Sequence, residues 1–210
     1  MDGRNPLFFR CPDLEKYVKE IDSVKENILL INKSDLLSDD IRNAWTKYLN
    51  ANGINHIFFS AKKEQEKIDT DKIDEEEAQK EEEEYFENTS RIFTRKNLLI
   101  ALTRIVLRVR QQKHQKQEQQ EQEPPKSEKS AVSKHAVNPD LVVIGMVGYP
   151  NVGKSSVINV LSKKKLVGVA AQPGKTKHFQ TLYIDKDLML CDCPGLVFPN
   201  FTSNRAEMVI

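Results

Sequence analysis

Residues 148–155 read Gly148-Tyr149-Pro150-Asn151-Val152-Gly153-Lys154-Ser155, which matches the pattern G-x-x-x-x-G-K-S. The apolar run 141–147 precedes this stretch and predicts a buried strand, and residues 154–162 after it predict a helix. The glycines let the backbone wrap closely around a phosphate group. The stretch therefore predicts a phosphate-binding loop between a strand and a helix, an α/β arrangement, but the pattern does not distinguish GTP from ATP.

The loop predicts roles for its own residues. Backbone amides from 151 to 156 are expected to point toward the phosphates, and the Lys154 ammonium is expected to reach the β- and γ-phosphates. The Ser155 hydroxyl is expected to bind Mg²⁺. The candidate phosphate-binding residues are Gly148, Asn151, Val152, Gly153, Lys154, Ser155 and Ser156.

A second motif, Asn32-Lys33-Ser34-Asp35, follows the apolar run 28–31 and makes the distinction between bases. The Asp35 carboxylate can accept from both N1–H and the exocyclic amine of guanine, a donor pair that adenine lacks. The aliphatic stem of Lys33 is expected to lie on the face of the base. N-K-x-D alone is a common tetrapeptide, but Ser60-Ala61 follows the next predicted strand, where the Ala61 amide could donate to guanine O6. Together, Asn32, Lys33, Asp35, Ser60 and Ala61 predict a guanine site.

A third motif, Asp192-Cys193-Pro194-Gly195, reads D-x-x-G at the end of a predicted strand. The Asp192 carboxylate is expected to hold Mg²⁺ through water, and the Gly195 amide to lie at the γ-phosphate. Between this motif and the phosphate loop lies the turn 173–177. Its Thr176 is the first candidate for the threonine that senses the γ-phosphate and binds Mg²⁺, with Thr181 second. An ordinary surface threonine is the alternative interpretation of Thr176.

Apolar periodicity predicts alternating helices and strands around these motifs. Residues 14, 17, 18 and 21 are apolar and predict an amphipathic helix after Pro12. The remaining predicted elements are a strand over 28–31, a helix capped by Ser38, a strand over 54–59, a helix capped by Thr94, and a hairpin of 179–184 with 188–192. This alternation predicts a mostly parallel sheet with helices on both faces.

Two polar stretches interrupt the pattern and leave roughly 150 residues, enough for one domain. Residues 64–87 contain thirteen acids and three lysines, a local charge of −10, so the rest of the chain carries +11. A basic body suits a polyanion such as RNA, whereas the acidic block is more simply interpreted as a solvated loop insert. Residues 111–136 are mainly Gln, Glu, Lys, Ser and Pro, and this composition predicts a flexible, disordered linker.

Other classes of protein are disfavoured by what the sequence contains. No run of 18 apolar residues occurs, and residues 1–6 lack the basic flank and apolar stretch of a signal peptide, which predicts a soluble intracellular protein. Three cysteines, Cys11, Cys191 and Cys193, are odd in number and have no second pair or histidine cluster at metal-ligand spacing. Reduced thiols are therefore predicted.

The order of the motifs is Asn-Lys-x-Asp, Ser-Ala, G-x-x-x-x-G-K-S, Pro-Gly-Lys-Thr and D-x-x-G. This order resembles the circularly permuted GTPases of the ribosome-assembly family. Residues 2–15, 173–181 and 191–199 are most similar to its eukaryotic cytoplasmic large-subunit branch, with Gly3 where the family usually has alanine. The resemblance implies a cytoplasmic, non-membrane protein that binds GTP or GDP with Mg²⁺. It also implies GTP hydrolysis on the maturing large ribosomal subunit, with its rRNA and ribosomal proteins, coupled to release of an assembly or export factor.

The catalytic candidates are Lys154, Thr176, Asp192 and Gly195. Ras-like GTPases orient the attacking water with a glutamine after D-x-x-G, but Leu196 stands there, and slow intrinsic turnover is expected. The resemblance implies that Asn151 helps to bind K⁺; stabilisation of the loop by its side chain is an equal alternative. A GTP-dependent binding module with incidental hydrolysis remains a rival function, and an ATP-binding enzyme is disfavoured by Asp35.

The predicted organisation is a single permuted GTPase domain over 1–210. Its parts are a guanine-recognition half at 1–61, an acidic insert at 62–90, a helix at 91–110, a linker at 111–138 and a phosphate-binding and switch half at 139–210. The resemblance places a hydrophobic strand before residue 2, between the strands at 28–31 and 141–147. Without it, the expectation is a fragment or incomplete gene model that folds poorly alone.

Overall fold

The structure is a computed structural model that describes residues 1–70, 88–120, 141–163, 179–185 and 188–197. Its elements in chain order are α1 (Pro12–Ile21), β1 (Leu29–Ile31), α2 (Asp39–Ala51), β2 (His56–Phe59), α3 (Ala61–Asp69), β3 (Ile92–Phe93), α4 (Arg95–Gln120), β4 (Val142–Met146), α5 (Lys154–Ser162), β5 (Gln180–Asp185) and β6 (Leu188–Asp192). A 3₁₀ turn, Ser34–Leu36, follows β1. Every predicted strand and helix outside the two polar stretches is present. The boundaries differ by two residues at most, except for the helix predicted at 91–110, which begins at Arg95 and runs to Gln120.

The strands form two three-stranded sheets, ordered β1-β2-β3 and β4-β6-β5. Pairing is parallel throughout the first sheet and between β4 and β6, whereas β5 and β6 form the predicted antiparallel hairpin. The single sheet expected from the alternation is thus divided among the described residues, with β1 and β4 at edges. Because parallel strands share one carboxyl edge, the loops after β1 and β2 emerge together, as do those after β4 and β6.

Alternate side chains of β2 point to opposite faces and join two cores. Phe58 packs with Ile31 and with Leu49 of α2 on one face. Ile57 and Phe59 belong to the larger core on the other face, whose further members are Ala61, Phe93, Leu98, Ala101, Val157, Ile158, Val160, Leu161 and Leu190. The first sheet therefore has helices on both faces, as predicted. The larger core contains residues from both sheets, so α4 and α5 hold the two halves together.

Helices extend into both stretches that were interpreted as loop or linker. α3 occupies the start of the acidic stretch, where the Ser60 hydroxyl caps it by accepting from the Lys63 amide at 3.3 Å. α4 runs on to Gln120, ten residues beyond the predicted end of the helix. The polar composition predicted a linker because it offers little to bury, but Gln, Lys and Glu are good helix formers, and no proline occurs between residues 95 and 123. Residues 71–87 and 121–140 lie outside the described residues.

Two N-terminal caps agree with prediction, and one apolar stripe does not. The Ser38 hydroxyl accepts from the Ile41 amide to begin α2, and the Thr94 hydroxyl accepts from the Asn97 amide to begin α4. In α1, however, Tyr17 and Ile21 are 58% and 55% exposed. The apolar side of α1 is therefore only partly buried against the described residues.

Among the described residues, no helix combines the length and apolar character needed to cross a membrane.

Candidate nucleotide-binding site

The phosphate loop joins β4 to α5 through two residues with left-handed backbone conformations. Asn151 has a φ of 61° and Gly153 a φ of 97°. A Cβ at Gly153 would lie 2.2 Å from Asn32 Nδ2, so a side chain at this position would also collide with the neighbouring loop. Gly153 is the N-cap of α5, and the helix begins at Lys154 as predicted. The loop conformation and its closeness to Asn32 both require glycine at 153.

Lys154 turns back over its own loop. Its ammonium donates to the carbonyls of Gly148 at 2.7 Å and Tyr149 at 3.0 Å. Burial lowers the pKa of Lys154, while the nearby Asp192 carboxylate acts in the opposite direction. Carbonyl oxygens hold this partly buried ammonium but carry no full negative charge. A phosphate group would therefore neutralise its charge more fully than water does.

Asn32 connects three loops that are far apart in sequence. Its Nδ2 donates to the Val152 carbonyl at 3.0 Å, and its Oδ1 accepts from the Ala61 amide at 3.0 Å. The side chain is buried, so these bonds lie in a low-dielectric environment and are correspondingly strong. The structure differs here from the expectation that the Ala61 amide faces guanine O6, because Asn32 already accepts from that amide. Asn32 thus fixes the guanine motifs against the phosphate loop.

Lys33 crosses from the guanine motif to the phosphate loop. Its backbone is left-handed, with a φ of 61°, and its ammonium donates to the Asn151 carbonyl at 3.0 Å. The same ammonium donates to Asp2 Oδ2 at 2.8 Å. The aliphatic stem therefore spans the space between the two loops, as a platform for a planar base would. Asp2 had no assigned role, and no local pattern in the sequence signals its contact with Lys33.

Asp35 is oriented by a hydroxyl group from the neighbouring motif. Ser60 Oγ donates to Asp35 Oδ1 at 2.6 Å while accepting from the Lys63 amide. One hydroxyl therefore caps α3 and fixes the Asp35 carboxylate. A carboxylate held in this way is suited to accept from two N–H groups of one base edge, which fits the prediction for guanine.

Ser155 and Asp192 meet at the carboxyl edge of the second sheet. Ser155 Oγ donates to Asp192 Oδ2 at 3.1 Å, and Asp192 is fully buried at the end of β6. A hydroxyl and a carboxylate oxygen side by side are the hard ligands that Mg²⁺ prefers, so the donor set fits this ion. The described residues include no group of three His, Cys, Asp or Glu side chains arranged for a metal. Any Mg²⁺ here would therefore take most of its other ligands from phosphate and water.

The D-x-x-G loop lies directly against the phosphate loop. The Leu196 amide donates to the Gly148 carbonyl at 3.0 Å. A Cβ at Gly195 would lie 3.2 Å from Pro150 Cγ, so glycine permits this close approach. Thr176 lies outside the described residues, and Thr181, the alternative, is an exposed residue of β5. The role of Thr176 therefore stays a prediction.

The thiol within the D-x-x-G motif is not activated. Burial raises the pKa of Cys193 to about 11, and the neighbouring Cys191 and Asp192 act in the same direction. The Cys193 thiol donates to the Cys191 carbonyl. All three cysteines are free, and a raised pKa disfavours reaction of Cys193 near neutral pH.

Comparison with known proteins agrees with this geometry. A family model described as "50S ribosome-binding GTPase" matches residues 143–209, which include the phosphate loop and the D-x-x-G motif. The whole chain is 43% identical to GTPase LSG1-1 of Arabidopsis thaliana and 42% identical to Large subunit GTPase 1 of Saccharomyces cerevisiae. It is 36% identical to the Large subunit GTPase 1 homolog of Danio rerio.

The chain is homologous to the large subunit GTPases. Its matches cover 100% of the chain but only 37%, 31% and 40% of these three relatives, in the order given. The resemblance predicted from the order of the motifs is confirmed by these relatives. The fold prediction is likewise confirmed in its main point, because the chain has the α/β architecture of a P-loop GTPase domain with a largely parallel arrangement of strands.

Proposed function

We propose that this chain binds GTP and GDP together with Mg²⁺ and hydrolyses GTP to GDP and phosphate. The observation that carries the proposal is the position of Asn32, which bonds to Ala61 and to Val152, a residue 120 positions away. The motif that selects guanine and the loop that selects phosphate are thereby parts of one site. Neither motif alone would define a guanine nucleotide, but their contact does.

The motif order supports a circularly permuted GTPase. Guanine recognition at 32–35 and 60–61 precedes the phosphate loop in this chain. A parallel sheet is held by neighbouring strands, and the order in which the chain visits them matters less than their adjacency. The contacts of Asn32 and Lys33 with residues 151 and 152 give the spatial arrangement that permutation is expected to preserve.

The described residues divide the chemistry of hydrolysis among them. Lys154 and the amides at the start of α5 would bind the β- and γ-phosphates and stabilise their charge. Ser155 and Asp192 would hold Mg²⁺, which supplies neutralisation of phosphate charge when bound. Leu196 cannot orient water, so slow turnover is expected. A rate of about 10⁻³ s⁻¹ corresponds to a barrier of about 21 kcal/mol, of which a partner-supplied acceleration of about 10⁵ would remove about 7 kcal/mol.

The substitution Asp35→Asn tests the guanine assignment. An amide in place of the carboxylate loses the match to guanine and gains one to xanthine, while every phosphate contact remains. GTP affinity is expected to fall by about tenfold or more, and XTP affinity to rise, in a competition titration against a fluorescent GDP analogue. Asp40→Asn, on the exposed first turn of α2, is the matched control and should change neither affinity. Unchanged GTP affinity in Asp35→Asn would remove guanine selectivity from this site.

The proposed biological setting is maturation of the large ribosomal subunit in the cytoplasm, with release of an assembly or export factor. The names of the relatives and of the matching family support association with a large ribosomal subunit. Single-turnover hydrolysis is expected to accelerate when purified large subunits are added. If large subunits instead bind the GTP form and leave its hydrolysis rate unchanged, the second candidate is favoured, a GTP-dependent binding module. Leu196 supports this second candidate, because an apolar side chain at this position cannot orient the attacking water.

Asn151 is the proposed K⁺ ligand on the basis of the family resemblance, and its side chain is exposed at the phosphate loop. Turnover in KCl is expected to exceed turnover in NaCl at equal ionic strength. Asn151→Ala should abolish the difference while GTP still binds. Equal rates in the two salts would leave Asn151 as a structural residue of the loop.

A further inference from the structure

Asp2 is a buried acid that lies outside the guanine and phosphate motifs and yet touches one of them. Its residue is 1% exposed. The Gly3 amide donates to the Asn32 carbonyl at 2.7 Å, and the Asn32 amide donates to the Met1 carbonyl at 2.9 Å, so the backbone around Asp2 pairs in parallel with the residue after β1. The pairing fixes the backbone of Asp2 beside the guanine motif.

The Asp2 carboxylate binds two cations with different exposures. Its Oδ2 accepts from Lys33 Nζ at 2.8 Å, and Arg4 donates to both oxygens through its backbone amide, Nε and a terminal guanidinium nitrogen at 2.7 to 3.1 Å. The Arg4 side chain is 63% exposed, whereas that of Lys33 is 31% exposed. The contact with Lys33 is therefore the better shielded of the two ion pairs and is less weakened by solvent.

The charge of Asp2 is maintained despite its burial. Burial by itself raises the pKa of this carboxyl group, but the hydrogen bonds from Arg4 and Lys33 together outweigh it and hold the pKa well below its usual range. Asp2 is thus a fixed anion at neutral pH. A fixed anion at this position directs the Lys33 ammonium to one place, 3.0 Å from the Asn151 carbonyl of the phosphate loop.

We propose that Asp2 is a positioning residue for guanine nucleotides, which holds Lys33 in the conformation that spans the guanine motif and the phosphate loop. The proposal rests on the proposed function, because Asp2 would act by orienting Lys33, a residue of the same nucleotide site. Without Asp2, the Lys33 side chain regains its freedom to rotate into solvent, and that freedom must be lost again when a base binds. Lys33 lies on the guanine side of the site, so Asp2 should affect GTP and GDP equally.

The test is a double-mutant cycle on the full chain with a fluorescent GDP analogue and a fluorescent GTP analogue. Asp2→Asn is expected to weaken both by about tenfold or more, consistent with loss of a hydrogen bond to a charged group. In a Lys33→Ala background, the same change at position 2 should have little further effect, because its partner is absent. Lys16→Ala, at an exposed position of α1, is the control and should change affinity by less than about threefold.

A packing role at position 2 predicts different results. Asp2→Glu keeps a carboxylate for Lys33 and is expected to restore most of the affinity lost in Asp2→Asn. Equal losses in Asp2→Asn and Asp2→Glu, or the same loss with and without Lys33, would overturn the proposal. Should Asp2→Asn fail to fold, as judged by circular dichroism, Asp2→Ser takes its place in the cycle. If the unmodified chain binds neither analogue, the proposed function itself is wrong; if it binds both and only Asp2→Asn has no effect, this inference alone is wrong.

Discussion

Gly153 has no room for a side chain, because its Cβ would fall 2.2 Å from Asn32 Nδ2, in addition to the strain of a φ of 97°. Gly53 provides a matched control with a φ of 64° and no atom within 4 Å of an added Cβ. Gly53→Ala should therefore cost only the left-handed strain, about 1 to 2 kcal/mol. Gly153→Ala should lower the free energy of unfolding, measured with urea, by more than Gly53→Ala does. It should also weaken nucleotide binding. Equal losses of stability in the two variants would contradict the steric contact with Asn32.

His56 is fully buried in β2, beside the Ile54 carbonyl and the Thr46 hydroxyl. Burial lowers its pKa from the ordinary 6.5. The unfolded chain therefore binds a proton at a higher pH than the folded chain does, and stability rises with pH in this window. The stability that the neutral His56 side chain contributes is fully present above pH 6.5 and is lost as the pH falls toward the lowered pKa.

Urea unfolding between pH 5 and 7.5 measures this effect. The free energy of unfolding should decrease below pH 6.5 by up to about 1.4 kcal/mol per pH unit. His56→Gln should flatten the profile, whatever its effect on stability at pH 7. His114→Gln, an exposed site on α4, should leave the profile unchanged. A wild-type profile without a slope in this range would show that His56 is protonated equally in both states.

Helices α4 and α5 are joined by one arginine. Arg95 donates from its guanidinium to the carbonyls of Val160 and Leu161, at the C-terminal end of α5, over distances of 2.6 to 3.2 Å. Its backbone amide donates to Glu64 of α3 at 2.7 Å. A cation at the C-terminal end of a helix satisfies open carbonyls and the helix dipole together. Three helices therefore meet at Arg95, between the guanine and phosphate halves.

Arg95→Ala should lower the free energy of unfolding by about 2 kcal/mol, because the Leu161 carbonyl loses its guanidinium donor while the Val160 carbonyl keeps only the Lys163 amide. Arg95→Lys should recover only part of this loss, since a single ammonium cannot reproduce the planar fork of a guanidinium. Lys96→Ala, at an exposed position of the same helix turn, is the control and should change stability by less than about 0.5 kcal/mol. A full rescue by lysine would show that charge alone, and not the geometry of the fork, matters at position 95.

The described residues form two sheets that share one principal core. Ile57 and Phe59 of the first sheet share a cluster with Leu190 of the second and with residues of α4 and α5. Core residues in contact lose their packing together, so the two halves should unfold in one transition. The expectation that the chain folds poorly alone stays a prediction, and the same experiment measures it as a free energy of unfolding below about 5 kcal/mol.

The experiment uses two reporters in different halves. Trp45, the one tryptophan of the sequence, lies in α2 and packs on the first sheet. Release of a fluorescent GDP analogue reports on the phosphate loop. The two signals should change at the same urea concentration, and nucleotide at about 100 times its dissociation constant should raise the free energy of unfolding by about 2.7 kcal/mol. Separate midpoints would show that the halves unfold independently.

Local sequence patterns predict the phosphate loop, the limits of α5, the caps at Ser38 and Thr94, and the parallel alternation of elements. These features depend on residues within about four positions of one another, so local pattern predicts them. The sequence also predicts that Asn32, Asp35 and Ser60 lie at one site, because parallel strands end at a shared edge of the sheet. α3 was missed because the prediction weighed acidic composition above a cap and good helix formers.

The side chains that complete the site come together only when the chain folds. Asp2 meets Lys33 across 31 positions, Asn32 meets Val152 across 120, and Arg95 meets Leu161 across 66. Each contact joins a buried or partly buried polar group to a partner that no spacing in the sequence predicts. The packing of the sheets and helices determines which partner each of these polar groups meets. A buried polar group without a partner is costly, so a stable packing must provide a hydrogen-bond partner for it.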